Sequence, residues 1–123
     1  MEELRAQQIE ALEVLCDYNQ KLVKSIRNII SELKGERKED TDQFLDEIIK
    51  GINWEIGVLN GTMSLINEKE ERIKKEEINA SISKLSQVLA EKKDAEVAEA
   101  LEEALPVFEK FGDAAGKVLE EEK

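Results

Sequence analysis

The sequence predicts an all-α fold: an antiparallel three- or four-helix bundle with long first and second helices and an interrupted C-terminal helical limb. Three observations carry this. Apolar residues recur every three or four positions along nearly the whole chain, which gathers them on one face of a helix. No run alternates apolar and polar residues with the period of two that a half-buried strand needs. One proline and six glycines in 123 residues leave the chain few places to turn. This length fits one domain, and the bundle is expected to span residues 1–123.

The first helix is expected over about residues 3–34. Leu4, Ala11, Leu15, Tyr18, Leu22 and Ile29 form one seam, which Ile9, Leu12, Cys16, Val23, Ile26, Ile30 and Leu33 widen into the broad stripe of a globular bundle. Gly35 is placed to cap its end, and Lys34 sits at the negative end of the helix dipole. Gly35–Glu39 is the clearest turn in the chain, short enough to make the first two helices antiparallel neighbours. The second helix, over about 41–70, starts after Asp40 or Thr41, either of which can cap it. It has the cleanest coiled-coil-like spacing: Leu45, Ile52, Leu59, Ile66 and Ile73 lie seven apart, with Ile48 or Ile49, Ile56 and Met63 between them. Residues 67–77 contain neither Gly nor Pro, yet the apolar phase slips, because Ile73 to Ile78 is five residues. A turn is expected around 70–76; the rival is one long helix running through to Ala90.

The third helix, over about 76–91, carries Ile78, Ile82, Leu85, Val88 and Leu89. The pattern lapses at Glu91–Asp94. Asp94 is suited to cap a fourth helix over about 95–120, which continues with Val97, Ala98, Leu101, Ala104, Leu105, Phe108, Phe111, Ala115, Val118 and Leu119. Pro106 inside that pattern removes a donor and crowds the preceding turn, so a kink or break is expected near Leu105.

Eighteen basic and 29 acidic residues set the net charge at −11. The imbalance deepens along the chain, from −1 over residues 1–35 to −3 over 36–75 and −7 over 76–123. Such a surface repels nucleic acid and anionic lipid. The densest basic group, Lys69, Arg72, Lys74 and Lys75, is interleaved with glutamates, so no nucleic-acid partner is expected. No basic start leads into an apolar run, and no segment nears the roughly 18–20 apolar residues of a membrane span. No membrane association is expected; a lone cysteine with no export signal points to the cytoplasm.

There is no histidine. That removes histidine-based triads, two-histidine zinc sites, haem ligation through histidine and the Glu-x-x-His pairs of di-metal carboxylate bundles. Cys16, the single cysteine, can form neither an intramolecular disulfide nor a multi-cysteine cluster, and with Asp17 beside it no reactive thiolate is expected. Glu13 and Asp17, one turn apart, read as a solvated face. No glycine loop for phosphate is present, since Gly51, Gly57 and Gly61 are spread along a helix. No catalytic residue, metal or cofactor is therefore assigned, and the protein is expected not to be an enzyme.

The segment from Gly51 to Asn67 differs from everything around it. Charged residues make up 38% of the chain, yet these seventeen positions hold one charge, Glu55. Besides the apolar face, a second stripe of Asn53, Gly57, Asn60, Ser64 and Asn67 is small and uncharged, with Gly61 and the lone Trp54 beside it. Glycines inside a helix cost roughly 1 kcal/mol each relative to alanine, and close approach of another backbone would offset that. If the second helix is central in its own bundle, the stripe is ordinary core. If not, Asn53, Trp54, Gly57, Asn60, Gly61 and Ser64 form a surface for a homodimer or a protein partner. Glu55 is expected to pair with a base from the first helix or from that partner.

The function expected on these grounds is a small acidic helical module for protein–protein interaction. Its composition and architecture are similar to those of small chaperones and adaptors that mask helical segments of other proteins. A purely structural or regulatory homo-oligomer is the alternative, and a small-molecule-binding bundle the more distant one.

Overall fold

A computed structural model of the chain describes residues 2–122. It contains four helices and, among the described residues, no strand: α1 (Glu2–Leu33), α2 (Thr41–Ile66), α3 (Lys75–Glu91) and α4 (Asp94–Glu121). The core is the meeting of the apolar stripes, with Leu12, Leu15, Ile26, Ile29, Leu59, Ile66, Leu101 and Phe108 essentially inaccessible to solvent.

Neighbouring helices run antiparallel. Tyr18 meets Trp54 and Gln8 reaches Gly61, so α1 and α2 point opposite ways. Asn19 bonds to Phe108, while Lys34 pairs with Glu102, giving the same relation for α1 and α4. Lys110 pairs with Glu77 and Lys84 with Glu103, joining α4 to α3. The packing is uneven. α1 is the hub, packed most extensively on α4 and then on α2; α3 leans on α4; α2 touches α4 only sparsely and shares no extended contact with α3. The second helix is thus a flank and not the centre of the bundle.

Each connection has a local cause. After α1, Gly35 takes a positive φ of 136°, a conformation glycine adopts without a Cβ penalty. No capping side chain starts α2. Asp40 makes no cap bond; instead the Thr41 hydroxyl accepts from the Lys38 amide at 2.7 Å and donates to buried Glu32 at 2.7 Å. The second helix ends at Ile66, four residues before the expected position, and the chain does not run on as one helix. Asn67 stops it: its Oδ1 accepts from the amides of Arg72 and Ile73, and its Nδ2 donates to the Ile73 carbonyl. Ile73, expected as the last heptad position, lies in this loop as a fully buried plug.

The C-terminal limb is interrupted at Lys92, which adopts the left-handed conformation (φ 56°, ψ 35°). Lys93 is the N-cap, and Asp94 makes no cap bond. It forms a fork–fork pair with Arg37 instead, both contacts at 2.9 Å, tying the first turn to the start of α4; the guanidinium holds the Asp94 carboxyl below its ordinary range. The expected break near Leu105 does not occur. α4 continues through Pro106, which is exposed. The lost hydrogen bond falls on the wet side of the helix, while Ala104 and Phe108 hold the other side in the core.

Candidate functional site

The outer face of α2 carries the six residues that the sequence singles out. Asn53, Trp54, Gly57, Asn60, Gly61 and Ser64 are all exposed. Asn67, at the end of the same stripe, belongs to the loop as described above. The only charge between Gly51 and Asn67 is Glu55, and it is fully buried. No charged side chain therefore reaches solvent on α2 between Lys50 and Glu68. The stripe is not the bundle's own core, because α1 and not α2 occupies the centre.

Trp54 is 42% exposed and braced edge-on by Tyr18, with ring centroids 5.4 Å apart and planes at 84°. Among the described residues the other two large exposed hydrophobic side chains, Leu4 and Val14, lie on α1. Leu4 was expected in the first seam. It is 59% exposed because Arg5, beside it, is already level with Glu68, beyond the end of α2. Val14, one turn before Tyr18, has no place in the predicted seam and is 53% exposed.

The glycines divide into two kinds. A Cβ at Gly57 or Gly61 would meet no atom within 4 Å. Close approach within the chain therefore explains neither of these two. It does explain two others: a Cβ at Gly51 would overlap the Tyr18 hydroxyl, and one at Gly112 would overlap the Asn19 side chain.

Beneath the outer face lies a polar cluster that the sequence reading missed in part. Glu55 pairs with no base. Its Oε1 accepts a 3.0 Å hydrogen bond from Asn19 Nδ2, the same nitrogen donates to the Phe108 carbonyl at 3.0 Å, and Glu55 Oε2 has no partner. Burial raises the Glu55 carboxyl to about 7, and the Asn19 bond only partly opposes this. Burial, and then the Glu55 charge, push the Tyr18 hydroxyl upward as well. The phase of Asn19 was the available signal: it lies four residues after Leu15 and four before Val23, on the apolar side of the first helix.

Cys16 is half-buried, and burial followed by the charges of Asp17 and Asp113 raises its thiol pKa, which disfavours the nucleophilic thiolate. Glu13 and Asp17 are exposed. Among the described residues, no three side chains of the metal-ligating types are gathered at one point, and no helix is long and apolar enough to cross a membrane.

No curated protein and no solved structure matches the chain. A family model does, over residues 10–114, which takes in the body of α1, the whole of α2 and α3 and most of α4. With the hub, the Trp54 face and the Glu55 cluster all inside that span, the chain belongs to the family described as a domain of unknown function, DUF8042.

Proposed function

We propose that the protein is a non-enzymatic interaction module that presents the outer face of α2 to another helix, supplied by a second copy of the chain or by a protein partner, in the manner of a small acidic adaptor or chaperone. One observation carries the reading. Asn53, Trp54, Gly57, Asn60, Gly61 and Ser64 are exposed together on a stretch of α2, after Lys50, that offers solvent no charge, in a chain that is 38% charged. Trp54, braced by Tyr18, has the form of a rigid aromatic anchor, the kind of residue that dominates binding energies. The open space at Gly57 and Gly61 would let a partner's backbone approach closely. A cytoplasmic setting is part of the same proposal and rests on the lone Cys16.

Sedimentation equilibrium tests it, with far-ultraviolet circular dichroism as the control for folding. Wild type is expected to associate, Gly57→Leu to weaken association with helicity intact, and Gly61→Glu to weaken it further, because a buried unpaired charge is costly. A wild type that stays monomeric at high concentration removes the second copy and leaves a protein partner. Loss of helicity in both variants would place the face in the interior of the fold and end the proposal.

A further inference from the structure

Glu55 lies where α2 meets both α1 and α4, and its surroundings suit a neutral group. From α1 it is faced by Tyr18 and Asn19, and the Asn19 amide that bonds it also bonds the Phe108 carbonyl of α4. No lysine or arginine offsets its charge; Lys50, the nearest base along α2, is exposed and pairs with Asp46. One carboxyl oxygen is satisfied by Asn19 and the other is buried without a partner. Protonated, the orphan oxygen carries a proton and the cost is that of one unpaired neutral group. Ionised, it is an uncompensated charge away from water, which is far more costly. The helix carrying it is well attached to α1 but only sparsely to α4, so a small movement of α2 away from α4 admits water while its packing on α1 is kept.

We infer that Glu55 is a proton-operated latch on α2: protonated, it lets α2 close against α1 and α4, and ionised, it loosens α2 together with the outer face that α2 carries. This does not rest on the face binding anything. The direction follows from linkage. The buried carboxyl titrates at about 7, against the ordinary value of 4.5 once water reaches it. Below the ordinary value both forms are protonated and pH has no effect. Between the two values the loosened form loses its proton first, so rising pH favours loosening; above about 7 both forms are ionised and the effect levels off.

Amide hydrogen exchange of the intact chain tests the latch, with the protection of α2 read relative to that of α4 so that intrinsic exchange rates cancel. Between about pH 6 and about pH 8.5 the α2-to-α4 protection ratio is expected to fall about tenfold in wild type. In Glu55→Gln, which keeps the acceptor for Asn19 and cannot ionise, the ratio is expected to stay flat. An unchanged ratio in wild type, or an equal fall in the variant, overturns the proposal. A second measurement does not depend on the variant folding: carbon NMR of the wild-type Glu55 carboxyl should show a midpoint near neutrality. A midpoint in the ordinary carboxylate range would also overturn it.

Discussion

At the scale of the residue, the same amino acid has opposite meanings at different places in this fold. Gly112 is held by a close crossing of α1 and α4: the Asn19 side chain occupies the space a Cβ would need, and Asn19 cannot yield freely because its amide serves both Glu55 and Phe108. Gly112→Ala is therefore expected to lower stability by about 1–3 kcal/mol, the usual cost of forcing volume into a packed site. Gly57 meets nothing. Gly57→Ala is expected to raise the monomer's stability by up to about 1 kcal/mol, through helix propensity alone. Urea unfolding of the two variants checks the contrast, and a destabilised Gly57→Ala would mean that α2 is covered within the monomer. Asn67 makes a similar point among the polar residues. It continues the spacing of the exposed stripe, yet its three bonds to Arg72 and Ile73 make it the stop of a helix.

At the scale of the element, periodicity located the helices better than their ends. The heptad from Leu45 to Ile66 lies on α2, but Ile73 keeps the same spacing after the helix has stopped, because a buried plug in a loop and a buried helix position look alike in sequence. Pro106 misled in the other direction. A proline argues for a break when its helix is considered alone; here α1 and α3 both pack on α4 and hold it continuous. The strain of the ring remains, so Pro106→Ala is expected to stabilise the protein by about 1–3 kcal/mol. Thermal melts measure this, and a neutral or destabilising result would show that the proline fits its helix without strain. The break in the limb belongs to Lys92, where no glycine or proline marks it and the signal was only a lapse in apolar spacing.

At the scale of the whole molecule, charge and packing are both lopsided. The excess of acid is greatest over residues 76–123, which supply nearly all of α3 and α4, while the uncharged surface lies on α2, the helix with the least cover beyond its contact with α1. Two copies meeting through α2 would carry net charges of −11 each and repel at long range. Self-association through the uncharged face is therefore expected to tighten as salt rises from about 0.05 M to about 0.5 M, since screening removes repulsion and breaks no ion pair in the contact. Sedimentation at the two ionic strengths measures it. Association that weakens with salt would mean that charged groups, and not the Trp54 face, hold the copies together.

Composition and spacing by themselves determined the all-helical class, the antiparallel first pair, the interrupted limb and the existence of a charge-poor stripe, because each is a property of one helix or of one short turn. They also isolated Glu55 as the one charge in that stripe. Tertiary structure decided which helix is the hub, and so whether the stripe lies inside or outside. Apolar periodicity records that a helix buries a face, while the choice of neighbours depends on the fit of all four helices at once. The surroundings of Glu55 were settled at that same level. A carboxylate in an uncharged stretch suggests a missing base, and only the crossing of α1, α2 and α4 put an asparagine amide and a backbone carbonyl there instead.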